Sequence, residues 1–424
     1  MIWVFLTSLF LLILLGVPIA FAMMISGVVM MLGMGIFDTV VIAENLVSGA
    51  NDFALMAIPF FILTGEIMNA GGVSKRIVDF AISIVGHIRG GLGYVTIFAG
   101  VIFAGLSGSA VADVAALGAI LIPMMVANGY DVKRSTGLLV STGIIGTIIP
   151  PSIPLILFGV ISGVSITKLF MGGIVPGLLI GLGLIVAWYF VSRKDDTVVF
   201  DKATWKERLS NAKRASLALI LPLFIIIGLR GGVFTPTEAG VFAAVYALVI
   251  SFLYREISIK KLPAVFINTA KTTGVVLFLA AAAMLTAYVI TVAQIPTQLA
   301  SGFGGITDNP TVLLLLIMLF LLVVGMVMDM TPAILIFTPV LLPIVQGAGI
   351  DPIFFGVMMV INLSIGLITP PVGTALYVGA GIAKVNIIDV TKGIWPFLLV
   401  EIIVLFLLTL FPEFITVPLE WMVN

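Results

Sequence analysis

This sequence of 424 residues has no cysteine and one histidine, and only 9% of its residues are charged. The first two shortages exclude disulfides, thiol chemistry and any Cys/His metal site. Its 20 basic and 20 acidic residues cancel, so no nucleic acid or other polyanionic partner is implied. Long strands alternating apolar with polar residues are also lacking, which argues against a membrane β-barrel. What the chain has is hydrophobicity, at 61%. A soluble fold cannot cover that much apolar surface, so the expectation is an all-α polytopic membrane protein embedded in a lipid bilayer. The opening Met1-Ile2-Trp3-Val4 has no basic n-region or small-residue cleavage site and reads as a first helix rather than a signal peptide.

The pattern that organises the chain is Gly105-Leu106-Ser107-Gly108-Ser109 followed by Ile149-Pro150-Pro151-Ser152, and it returns 220 residues later. Gly105 recurs as Gly325, Pro123 as Pro343, Gly129 and Asp131 as Gly349 and Asp351, Gly146 as Gly366, Pro150-Pro151 as Pro370-Pro371, and Gly159 as Gly379. Each unit is an apolar segment broken by small polar residues, then an apolar segment broken at Pro-Pro. Two such units in the two halves of a hydrophobic chain point to a transporter's binding site.

In chain order, 2–35 is too long for one span and divides at Gly16-Val17-Pro18 into 2–16 and 18–35. Residues 36–52 carry only acids and read as an outer segment; 53–72 reads as a span and 73–91 as an amphipathic interfacial helix. The stretch 92–128, flanked by basic residues at both ends, reads as a re-entrant helical hairpin, or as two spans joined at Ser107-Gly108-Ser109. A broken helix over 131–168 and a span at 171–192 complete a first repeat, 1–192. Arg193, Lys194, Lys202, Lys206, Arg208, Lys213 and Arg214 make 193–214 a cytoplasmic linker. The second repeat, 215–424, holds spans at 215–230, 237–254 and 272–292, an outer segment 293–310, a hairpin 311–349, a broken helix 351–384 and a span at 393–411. Five spans and one hairpin per half is an odd crossing number, so the repeats are expected to be inverted in topology.

Non-helical backbone survives at membrane depth only where it is buried in protein or lines a cavity. Proline removes an N–H and leaves a carbonyl unbonded, so the carbonyls of Gly146, Ile149, Gly366 and Thr369 are candidate ligands for a hard cation. Helix N-termini at the breaks suit a carboxylate. Either Pro-Pro taken alone is also a packing kink. Ser107, Ser109 and Ser152 read either as substrate ligands or as caps of freed backbone. Asp329, with Thr331 beside it, reads as an intramembrane functional carboxylate or as a helix cap. Asp113 reads equally as a helix-starting residue, Glu66 and Lys271 as residues near span ends, and Arg230 and Glu238 as fixing an outer loop. Gly105-Leu106-Ser107-Gly108 matches the Gly-x-Ser-Gly of intramembrane serine proteases. The sole histidine, His87, sits among charges in the amphipathic stretch, and a protease leaves the repeat unexplained, so no enzyme is expected.

Across Gly105 to Ser152, Gly231 to Gly240 (with Thr235-Pro236-Thr237-Glu238-Ala239) and Gly325 to Gly373, the chain resembles the large membrane subunit of TRAP transporters, tripartite ATP-independent periplasmic transporters. Through Gly325-Met326-Val327-Met328-Asp329-Met330-Thr331-Pro332 it looks closest to the sialic-acid branch. The resemblance implies uptake of an organic acid, N-acetylneuraminate in that branch, across the bacterial inner membrane, coupled to two or more sodium ions. It implies an elevator-type fold, a separate small four-span membrane subunit and a soluble periplasmic substrate-binding protein. Carried over, one sodium site falls at Gly105, Ser107, Gly146, Ile149 and Pro150, and the other at Gly325, Met328, Gly366, Thr369 and Pro370. The substrate would meet Ser107, Ser109, Ser152, Asp329 and Thr331. The alternative is a stand-alone sodium-coupled dicarboxylate carrier of the divalent-anion symporter type.

Overall fold

The computed structural model describes residues 1–193, 198–302 and 309–423. Lys194 of the basic linker and 303–308 of the expected outer segment lie outside the described residues. Within the described residues the chain is all-helical, with no strand. Among the described residues, eight helices are long and apolar enough to cross a membrane, or nine with one bent pair.

The first break forms where glycine and proline stand. Ile2–Leu14 ends ahead of Gly16 (φ +80°), and Pro18 caps Ile19–Met34. The acidic stretch after it, expected only as an outer segment, holds the helix Thr39–Ala50. Asp38 caps it, accepting from Val40 N at 2.7 Å, and a 47° bend leads into Ala54–Ala70. The helix packs closely against Leu262–Val292: a Cβ on Gly49 would lie 2.9 Å from the Ala281 backbone. Its one acid, Glu44, is exposed, which is compatible with a helix whose other face is packed. The amphipathic helix Val73–Val85 buries Val73, Ile77, Val78 and Ala81 and leaves Lys75 and Asp79 outside.

Gly91–Ser107 and Ala110–Ala127 form a hairpin turned at Gly108 (φ +67°), where any side chain would also crowd Pro151 O, 2.7 Å from a Cβ. The arms are about 26 Å long, short of a hydrocarbon core of about 30 Å. Val132–Gly143 follows, tightens to a 3-10 turn over Ile144–Thr147, breaks, and resumes as Ile153–Ser162. The second half repeats this order. Pro310–Val327 and Met330–Gly347 are joined at the extended residues Met328 and Asp329; Pro352–Gly366 breaks and resumes as Thr374–Ala383. Both Pro–Pro peptide bonds, 150–151 and 370–371, are cis. Ile166–Ser192 and Ile387–Leu410 close the two units.

The basic linker is shorter than the sequence suggests. Trp205–Arg230 starts ten residues before 215, because Thr204 and Glu207 make a reciprocal capping box. Its Pro222 seats on Gly105, with a Cβ there 2.7 Å from Pro222 Cβ. Leu262–Val292 likewise begins before the expected 272.

Candidate functional site

Four interruptions meet around one cavity of about 140 Å³. The first hairpin contributes Ser109, the first broken helix Thr147, Ile153 and Pro154, the second hairpin Asp329 and Thr331, and the second broken helix Leu367. Ile62 of Ala57–Ala70 and Thr272 and Val276 of Leu262–Val292 form the facing wall. Three helices, Ala110–Ala127, Ile153–Ser162 and Met330–Gly347, thus begin at the cavity. Their unpaired N–H groups and dipoles favour an anion there.

The N-termini are not equivalent. Asp329 caps its own helix, Oδ1 accepting from Thr331 N at 3.2 Å, while Thr374 Oγ1 donates to Oδ2 at 3.4 Å. Its carboxylate therefore already answers the positive end of the second hairpin's helix. At the first tip the cap is a neutral hydroxyl, Ser109 Oγ, 3.5 Å from Ala112 N. A carboxylate ligand is favoured at the Ser109 and Ile153 side. Asp329, an acceptor, suits the hydroxyl or amide N–H groups of the same ligand.

Of the sequence candidates for substrate contact, Ser109, Asp329 and Thr331 line the cavity. Ser107 and Ser152 do not appear in that lining and have other partners. Ser107 Oγ donates to Asp113 Oδ1 and accepts from Ser109 N at 3.2 Å. Ser152 is fully buried; it donates to Thr147 O and accepts from Leu155 N at 3.3 Å, holding the break together. Sequence reasoning missed Thr147 and Thr272, which carry no motif. Asp113 stands in the first turn of the helix that Ser109 caps, as one of its two sequence readings had it. Asp113 is buried beside the break, and its Oδ2 has no hydrogen-bond partner. That oxygen lies where a side chain on Gly146 would be, so any side chain there would have to displace the Asp113 carboxylate. As the one acid between Arg89 and Asp131, it had a signal: an intramembrane carboxylate is functional by default.

The first cation set therefore contains Gly146, Ser107 and a carboxylate, with Gly105 beside Pro150 O (3.7 Å from a Cβ) and Ile149 seated on Gly177. In the second set Gly325 and Gly366 touch backbone to backbone. Met328 is extended and buried, its N–H bonded to Val324 O at 2.9 Å; Thr369 Oγ1 donates to Ile365 O at 2.7 Å, just ahead of Pro370. The Gly366 carbonyl is not wholly free, because the turn ahead of Pro-Pro closes with Thr369 N donating to it at 3.0 Å. One lone pair remains for a ligand.

An all-helical membrane fold in which two interrupted units meet around one cavity defines a membrane transport protein. The family model described as "Tripartite ATP-independent periplasmic transporter, DctM component" matches residues 6–414, and the chain belongs to that family. It is 59% identical over 400 residues to a putative TRAP transporter large permease protein of Haemophilus influenzae, covering 94% of this chain and all of that one. It is 50% identical to the 2,3-diketo-L-gulonate TRAP transporter large permease protein of Escherichia coli, over 96% of each chain. It is 38% identical to the sialic acid TRAP transporter large permease protein of Vibrio cholerae, over 94% of each. Among solved structures it is similar in fold to the Alcanivorax borkumensis YdaH transporter, with TM-score 0.67 and 16% identity over 90% of this chain and 88% of that one. These relatives are permease subunits, so the protein is a transporter subunit and not a protease.

Proposed function

We propose that this chain is the carrier subunit of a bacterial inner-membrane system that takes up an organic acid with two or more sodium ions, by an elevator movement. The two halves, 1–192 and 215–424, act as inverted repeats, and their hairpins, 92–128 and 311–349, enter the membrane without crossing it. The observation that carries this reading is the meeting of both hairpin turns with both broken helices around one cavity, with Asp113 and the Gly325–Gly366 contact at the flanking breaks. Sodium one is held by Gly105, Ser107, Gly146, Ile149 and Pro150, with Asp113 supplying charge; sodium two by Gly325, Met328, Gly366, Thr369 and Pro370. The anion lies between them, where bound cations strengthen its binding and the reverse.

The substrate reading is a polyhydroxylated monocarboxylate. Its carboxylate takes the Ser109 end and its hydroxyls the Asp329 end. The named diketogulonate relative is more similar than the named sialic-acid relatives (50% against 38% and 39%), so a small sugar acid is the first ligand to test and N-acetylneuraminate the second. A four-span membrane subunit and a soluble periplasmic binding protein complete the system. The test is uptake into proteoliposomes holding the three-part system, with sodium gradient and membrane potential set separately. Uptake needing inward sodium and enhanced by a negative interior supports the reading. Uptake indifferent to sodium, or full-rate uptake without the soluble protein, overturns it.

A further inference from the structure

The two interrupted units touch through a pair of hydroxyls. Thr147 ends the 3-10 turn of the first break, and Ser364 lies in the last turn of Pro352–Gly366. Their oxygens are 2.7 Å apart and buried. Thr147 Oγ1 is also 2.6 Å from the Ile144 carbonyl oxygen, and Ser364 Oγ is 2.6 Å from that of Val360. A hydroxyl has a single proton to donate. Three contacts therefore share two protons. If each hydroxyl donates to its own carbonyl, two oxygens face each other at 2.7 Å with no proton between them. If Thr147 donates across, the Ile144 carbonyl loses its hydroxyl; if Ser364 donates across, the Val360 carbonyl does. The bridge has two arrangements, and each relieves a carbonyl in only one half.

The placement gives this choice a consequence. Ile144 stands two residues before Gly146, and Ser364 two residues before Gly366; the two positions are 220 apart, the period of the repeat. Ser152 donates to the carbonyl of the same Thr147, so a shift of Thr147 is passed to the loop that carries Pro150-Pro151. An element with two discrete arrangements, biased from both ends, is what energetic coupling between sites requires.

We propose that the Thr147–Ser364 hydroxyl pair is a positioning link that couples the two ion sites, so that filling one raises the affinity of the other. This rests on the sodium reading above. Neither hydroxyl has to touch an ion; the link acts through the backbone of the two breaks.

Equilibrium binding of radioactive sodium to the purified full-length chain, with choline as replacement cation, tests it without knowledge of the substrate. The wild-type chain should bind cooperatively, with a Hill coefficient above about 1 and a ceiling of about 2 for two sites. Ser364→Ala and Thr147→Val should each bring it to about 1, and the double variant should be no worse than either single, because both remove the same link. Thr147→Ser, which keeps a hydroxyl, should stay cooperative; that separates the link from simple packing. A wild-type coefficient of 1, an unchanged coefficient in Ser364→Ala, or additive losses in the double variant overturns the link while leaving two independent sodium sites. No sodium binding to the wild-type chain removes the sodium reading itself, and the link with it. If Thr147→Val does not fold, Ser364→Ala and Thr147→Ser carry the comparison.

Discussion

Gly366 and Gly325 meet backbone to backbone: a Cβ added to Gly366 would lie 2.6 Å from the carbonyl carbon of Gly325 and 2.8 Å from its oxygen. The second broken helix and the second hairpin can approach this closely only because neither residue has a side chain. Gly366→Val should therefore push the two elements apart. The expected outcome is a loss of about 1–3 kcal/mol in stability from overpacking, and a higher sodium concentration for half-maximal uptake. A sodium titration of uptake beside a thermal unfolding curve reads both; an unchanged sodium dependence would show that this contact is no ion site.

The first half differs at the matching place. Gly146 faces a carboxylate oxygen of Asp113 rather than another glycine. Asp113→Asn keeps the shape and removes the charge, so it should weaken sodium use with little change in thermal stability. Gly146→Ala should displace the Asp113 side chain and do both. Equal sodium dependence in Asp113→Asn and wild type would remove Asp113 from the ion site.

Cavity residues separate from those that hold the breaks. Ser109→Ala and Asp329→Asn should raise the organic-acid concentration for half-maximal uptake at saturating sodium, by about 1–3 kcal/mol where a buried hydrogen bond is lost. Ser152→Ala removes two bonds within the break, and its main effect should be on stability. A substrate effect in Ser152→Ala as large as in Ser109→Ala would bring the ligand deeper than the cavity.

How much of this was legible in the sequence depends on what a residue does to its own backbone. The turn at Gly108 and the interruptions at Pro150-Pro151 and Pro370-Pro371 could be placed within a residue or two, since glycine and proline act locally. Thr39–Ala50 was not legible as a helix, because Asp38, Glu44 and Asp52 mark only an outer segment until a packed face is known. Thr204-x-x-Glu207 was a legible capping signature, hidden among the basic residues around it. The serines were ambiguous for another reason. Ser107, Ser109 and Ser152 are alike in sequence, and only the dihedral angles at each break decide which hydroxyl faces the cavity. For Asp113 the partner is Gly146, on another element, and no local pattern shows that.

Sidedness has a direct check in a chain without cysteine. Lys202→Cys should react with an impermeant thiol reagent only after the cells are opened, whereas Glu44→Cys should react in intact spheroplasts. The reverse pattern would invert the arrangement proposed for both halves.

Pro222 rests on Gly105 some way along a rod that starts at the Thr204 capping box. The connection from the central linker to the first hairpin is therefore a shaft, with angular as well as linear phase. One residue inserted between 208 and 220 would turn Pro222 by about 100° and advance it about 1.5 Å, swinging it off Gly105. An insertion of seven residues, close to two full turns, would restore the angle but displace the proline by about 10 Å. Extra residues placed before Thr204 leave the phase untouched. From residue 204 onward, length is thus keyed to the turn of the helix.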